Sequence, residues 1–237
     1  MIATNTIFET LFIDIETVTQ YESFKELPER FQTLWNKKHK SLRIETDAIG
    51  ETYTNKAAIY AEFGKVIVIA AGIILEKEGK LHARIKSFEN SNEKLLLQEF
   101  ADFLNEHKKI KKICAHNGKE FDFPYLCRRM IINQVKIPQI LDISQLKPWE
   151  VPHYDTLDMW KFGDYKNYTS LETLAAVFNI ETSKDGIDGS MVNSYYYQHR
   201  DLEKIVFYCK KDVQVLIQIF LCLIQLQPIP SENVTIL

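Results

Sequence analysis

The 237 residues contain no CxxC pair, no histidine at zinc-finger spacing, no internal repeat, no linker rich in proline, glycine or serine, and no lysine or arginine before Lys25. Four scattered cysteines, Cys114, Cys127, Cys209 and Cys222, argue against a structural zinc site and against a disulfide framework, so they read as reduced thiols. The longest apolar run, VIVIAAGIIL at 66–75, is well short of the roughly 18 residues a membrane helix needs. MIATNTIFET, where the sequence begins, has no basic region followed by a long apolar stretch, so a cytoplasmic protein with no membrane partner is expected. With 46% hydrophobic and 26% charged residues and no linker, a single domain over 1–237 with one sizeable core is expected. A formal net charge of -3 supplies no global attraction to nucleic acid, so any polyanion must be held by a local patch or by bound cations.

What is present is an alternation of strand and helix patterns. Residues 7–15 read as a buried strand, and 20–62 as a charged helical insert outside the core sheet, with Phe24, Leu27, Phe31, Leu34 and Trp35 near helical spacing. Residues 65–75 and 81–88 read as a hairpin bent at Gly79. SNEKLLLQEFADFLNEHKK is an amphipathic helix with Asn90 or Ser91 as its cap, followed by KKICAHNG, a short strand stopping at Gly118. Helical patterns then cover 123–133, 156–161, 169–179 and about 201–226. The order predicts an α/β architecture, a mixed central sheet flanked by helices.

Within the first strand, LFIDIETV at 11–18 sets Asp14 and Glu16 in an otherwise apolar, β-branched run. Two apart, they share one face of the strand while Ile13 and Ile15 take the other. Burying two unpaired anions side by side is costly by desolvation and by repulsion, and with no base in the first 24 residues a cation from elsewhere must offset that cost. The bland alternative is an exposed strand end. A further acid, Asp122 in CAHNGKEFDFPYLCRRM, stands two residues before Pro124 and on its own reads as a helix cap. In IVFYCKKDVQVL, Tyr208 and Asp212 are four apart and lie on one helix face, although a core tyrosine and an aspartate paired with Lys210 or Lys211 would look the same. Taken together, the four acids suit hard divalent cations, a pair of which about 4 Å apart can hold the attacking and leaving oxygens of a phosphoryl displacement.

The order of these motifs, DIE (Asp14, Glu16), NGKEFD (Asn117 to Asp122) and YCKKD (Tyr208 to Asp212), resembles the DEDD superfamily of 3′–5′ exonucleases with a ribonuclease H-like fold. It matches the tyrosine subtype, with Tyr four residues before the last Asp; the histidine subtype would place His where this chain has Phe207. FGKVIVIAAGI, LETLAAVFNI and KDGIDGSMV extend the likeness, from about residue 8 to 225 and more weakly in the insert, to stand-alone exonucleases related to the proofreading domain of family B DNA polymerases. The resemblance implies two Mg²⁺ or Mn²⁺ ions held by Asp14, Glu16, Asp122 and Asp212, with Asp14 touching both, and Tyr208 orienting the attacking water. It further implies strand contacts from Thr17, Asn117, Phe121 and Lys184. Phe123 is a second aromatic beside Asp122, core packing being an equal reading for either ring, and a solvated loop residue is the plain reading of Lys184. Asp155 in HYDTLDMW reads as a helix cap rather than a metal ligand. The expected substrate is single-stranded nucleic acid, DNA favoured over RNA, degraded to 5′-mononucleotides. No polymerase module follows, so any replication or repair partner is expected to be separate. Two other classes fit parts of the pattern: a catalytically silent nucleic-acid-binding module, and a metal-independent glycosidase using Asp14 and Glu16.

Overall fold

Alternation along the first strand sorts its side chains into two layers. Phe12 and Val18 of β1 (Thr10–Thr19) belong to one buried cluster, and Leu11, Ile13 and Ile15 to another on the opposite face. The computed structural model describes residues 4–43, 48–164, 166, 168–182 and 188–237. Along the chain come α1 (Glu29–Leu42), α2 (Ile49–Lys56), β2 (Gly64–Lys77), β3 (Lys80–Glu89), α3 (Glu93–Glu106), β4 (Lys112–Ala115) and α4 (Asp122–Ile132). They are followed by β5 (Tyr154–Asp155), α5 (Thr156–Lys161), α6 (Leu171–Val177), the short α7 (Val192–Ser194), α8 (Leu202–Leu223) and β6 (Val234–Ile236). The strands form one mixed sheet in the order β5-β4-β1-β2-β3-β6, antiparallel at β1–β2 and β2–β3 and parallel at the other junctions. Helix α8 packs its apolar stripe, including Val213, Leu216, Ile217 and Phe220, on one face, while Leu97 and Phe100 of α3 and Leu126 of α4 cover the other. This is the expected α/β architecture.

The differences are local and have physical causes. β1 begins three residues later than expected and runs on to Thr19, because its antiparallel partner β2 continues as far as Gly64; Thr4–Glu9 forms a 3-10 turn instead. The helix α3 is capped by Asn92, not by Asn90 or Ser91: its side-chain oxygen accepts from the amides of Lys94 at 3.0 Å and Leu95 at 3.4 Å. Asn90 instead receives the Asn92 amide and fixes the preceding turn. β4 stops at Ala115 rather than Gly118, since Asn117 turns the chain with φ +61°. The hairpin bends at Glu78 and Gly79, both at positive φ, as a two-residue turn matched to strand twist requires. In the insert, Leu27, Trp35, Tyr53 and Ala57, with Phe63 just beyond it, make a small separate core, but Phe31 and Leu34 are exposed, so the buried stripe is narrower than the spacing implied.

Candidate functional site

β1 and β4 run parallel, but their pairing ends at Phe12 and Cys114, and beyond that point β1 pairs with no strand on that side among the described residues. Such a gap at the carboxyl end of parallel strands is where α/β sheets open a crevice. Asp14 and Glu16 lie along this stretch, on the face shared with Phe12 and α8. Opposite them the register shifts: Glu16 faces Val68 and Thr17 faces Val66, leaving Ile67 of β2 as the extra residue of a bulge. A bulge bends and twists the strand it interrupts.

Asp122 enters the gap from the first turn of α4. It is the first residue of the helix and only 4% exposed, and the capping position belongs to Phe121, which makes no side-chain cap bond. The cap reading is therefore corrected: this carboxylate is turned inward, toward the backbone of Ile15. The turn before it is held by Asp155. One Asp155 oxygen accepts from the amides of Asn117 at 2.9 Å and Leu157 at 3.0 Å, and the other accepts from Lys119 at 3.0 Å. Asp155 thus caps α5 as its sequence implied and also anchors the loop that delivers Asp122.

The helix α8 supplies the remaining groups. It lies so close to β2 that a Cβ on Gly72 would sit 2.8 Å from Cγ1 of Val213 and 2.9 Å from Cδ1 of Ile217. That approach carries Tyr208, Cys209 and Asp212 over β1. The Cys209 thiol is 3.3 Å from Oδ2 of Asp14 and 3.4 Å from its carbonyl oxygen. Tyr208 is turned toward Asp212, in a hydrogen-bonding contact that favours the neutral phenol and the charged carboxylate.

Electrostatically the four acids are strained. Burial, then repulsion from Glu16, Asp212 and Asp122, lifts Asp14 well above the usual carboxylate range; burial followed by Asp212 and Asp122 does the same to Glu16. Burial pushes Asp122 up to about 7 and Asp212 up to about 6. Among the described residues, no ion pair involves any of the four. A set of buried and half-buried oxygen donors with no base paired to it among the described residues fits a hard divalent cation. Donor atoms of Asp14, Glu16 and Cys209 lie within 4.8 Å of one another, although a thiol is a poor partner for such an ion.

Beside the acids opens a cavity of about 720 Å³, lined by Asp14, Tyr208 and Asp212 together with His116, Tyr168 and Glu172. His116 is held by Thr156 Oγ1 at 2.9 Å from Nδ1 and by the Thr169 carbonyl at 2.9 Å from Nε2, and burial pushes its pKa down. Of the proposed strand contacts, Asn117 and Phe121 flank the turn before Asp122, Phe121 half-buried with its ring 5.3 Å from that of Tyr125. The Thr17 hydroxyl interacts with Tyr125 of α4. Phe123 is fully buried against His153, which settles it as core. Lys184 lies outside the described residues. Sequence reading missed His116, Tyr168, Cys209 and the loop-holding role of Asp155; of these, only Cys209 carried a local signal, standing directly beside Tyr208.

A family model described as the RNase_H superfamily matches residues 56–224, a span that includes Asp122, Tyr208 and Asp212 and begins after β1. No curated protein matches the chain. Among solved structures, a family B DNA polymerase from the hyperthermophilic archaeon Pyrobaculum calidifontis is similar over 88% of this chain, with a TM-score of 0.55 and 17% identity. The chain covers 23% of that polymerase, and at this identity the likeness concerns the fold alone.

Proposed function

The chain belongs to the RNase H superfamily, and on that basis we propose that it is a divalent-metal-dependent 3′–5′ exonuclease of the tyrosine DEDD type, forming one catalytic domain over 1–237. Its proposed substrate is single-stranded nucleic acid, DNA in preference to RNA, in the cytoplasm and alongside a separate replication or repair partner. The observation that carries this reading is the set of four acids, Glu16 and Asp122 buried and Asp14 and Asp212 half-buried, with no ion pair to any of them among the described residues, Tyr208 against one of them and a solvent-open cavity beside it. The resemblance of DIE, NGKEFD and YCKKD to the three exonuclease motifs supports it.

In this mechanism Asp14, Glu16, Asp122 and Asp212 would hold two Mg²⁺ or Mn²⁺ ions. When bound, the ions lower the pKa of water and stabilise charge on the attacking and leaving oxygens. Burial and the neighbouring acids raise the Tyr208 hydroxyl far above the ordinary phenol range, so it stays protonated and orients the water through hydrogen bonds. Water attacks the phosphorus, the bond to the 3′ oxygen of the shortened strand breaks, and a 5′-mononucleotide leaves. The thiol of Cys209 donates to Asp14 and fixes its rotamer. Asn117 and Phe121, with Thr17 and Lys184, are the proposed strand contacts, a stacked aromatic contributing about 1–3 kcal/mol per base. A glycosidase needs only two carboxylates and leaves Asp122 and Asp212 without a role.

The test is incubation of purified protein with single-stranded DNA, RNA and 3′-recessed duplex, in Mg²⁺, Mn²⁺ or EDTA. Stepwise loss of mononucleotides from a free 3′-hydroxyl end, abolished by EDTA and restored by metal, is expected. Hydrolysis that survives excess EDTA, or internal cutting at equal rates on free and 3′-phosphate-blocked strands, would overturn the assignment.

A further inference from the structure

A second cavity, of about 540 Å³, lies on the opposite face of the sheet, near the start of β1. The register places Ala71 and Ile73 of β2 on the same face as Leu11 and Ile13, the side covered by α3 and α4. Helix α3 ends at Glu106 while the β2–β3 hairpin runs on, and the uncovered stretch forms a groove floored by Ile73 and Leu75 and walled by Phe103 and His107.

The rim of this groove differs in charge from the rest of the chain. Arg84, Lys86, Lys108 and Lys109 line it against a single acid, Glu106, in a protein whose formal net charge is -3. None of the four bases joins an ion pair among the described residues. Lys108 and Lys109 follow the C-terminus of α3, where a helix dipole favours cations. Arg84 and Lys86 project from a strand and have no such reason to be there; Lys86 merely rests over the rings of Phe88 and Phe103, at 4.1 and 4.9 Å. An apolar floor inside a charged rim is the anatomy of a protein–protein contact.

We propose that this groove docks an acidic segment of a protein partner, its apolar side chains seated on Ile73 and Leu75 and its carboxylates paired with Arg84, Lys86 and Lys109. The shape and charge fit a peptide better than a nucleic acid strand. Base stacking needs open aromatic faces, and here Phe103 is covered by His107, 4.2 Å between centroids, and by Lys86, leaving Phe8 and the small His107 ring as the open ones among the lining residues. The proposal does not depend on the nuclease reading, because the groove shares no residue with the acid cluster.

Selection of binders to the full chain from a random peptide display library tests it, followed by fluorescence anisotropy with the selected sequences. Apolar anchors flanked by Asp and Glu are expected. Arg84→Glu with Lys109→Glu should weaken binding roughly tenfold or more, and peptides with Lys in place of the acids should recover it. Ile73→Glu should block the floor, while oligonucleotide hydrolysis is unchanged in the charge-reversed protein. The proposal falls if selected peptides lack acids or bind the charge-reversed protein equally well. Displacement of the peptide by an oligonucleotide would assign the groove to nucleic acid. A dimer that Ile73→Glu splits in light scattering would assign it to a second copy of this chain.

Discussion

Two clusters of buried charge sit on opposite faces of the same sheet, and they are built on opposite terms. On the α3–α4 side, Glu93 accepts from Arg129 through both guanidinium contacts, from the Val66 amide at 2.8 Å and from Asn133 at 2.9 Å, and Arg129 donates further to the Ala61 carbonyl at 2.7 Å. On the α8 side, Asp14, Glu16, Asp122 and Asp212 repel one another with no cation among them. The first cluster is complete within the chain and joins α3, α4 and β2. The second has no partner of opposite charge among the described residues, and natural sequences keep such frustration where it serves chemistry.

Removing one member should therefore act in opposite directions on the two faces. The largest effect is expected for Asp14→Ala and Asp212→Ala: turnover on a DNA oligonucleotide falls by orders of magnitude, while thermal unfolding in EDTA shifts upward because repulsion is relieved. A variant that unfolds, or that retains near-normal turnover, would give that carboxylate a structural role like that of Glu93. Next comes Tyr208→Phe, expected to lower turnover by about 10²–10³ with substrate affinity nearly unchanged, as for the loss of one positioned hydrogen-bond donor. Steady-state kinetics at saturating Mg²⁺ that match the parent would remove Tyr208 from the mechanism.

On the other face, Arg129→Met leaves Glu93 buried and unpaired and should cost about 3–5 kcal/mol in urea unfolding, with the rate per folded molecule preserved. The smallest expected effect is a pH slope. A carboxyl with a raised folded-state pKa holds its proton more tightly folded than unfolded, so its penalty is absent below the ordinary value of 3.8 and grows as pH rises toward about 7 for Asp122 and about 6 for Asp212. Calorimetry in EDTA should then find a lower melting temperature at pH 8 than at pH 5, and Mg²⁺ should narrow the gap. An unaltered slope in Asp122→Asn would remove that residue as its source.

The frustrated cluster was legible in the sequence and the satisfied one was not. Asp14 and Glu16 stand in an apolar strand with no base nearby, and Tyr208 and Asp212 keep helical spacing, so local pattern exposes them. Glu93 and Arg129 are 36 positions apart on two helices where each looks like an ordinary surface charge, and only tertiary packing brings them together. The central strands and long helices were legible from periodicity, whereas β5 and β6 are two and three residues long and carry no period to read. Three cap-competent residues in a row, Asn90, Ser91 and Asn92, made the start of α3 ambiguous until the chain direction fixed which side chain faced the helix.

The contact between Gly72 and α8 gives the acid cluster a gauge. Because one hydrogen atom at position 72 separates β2 from Val213 and Ile217, the spacing between the strand that carries Asp14 and the helix that carries Asp212 is set at a residue that is itself no ligand. A methyl group there would force Val213 and Ile217, or the helix that carries them, to shift while leaving every acid in place. The reach between the acids on the strand and the acid on the helix can thus be tuned by clearance at a residue that is no acid.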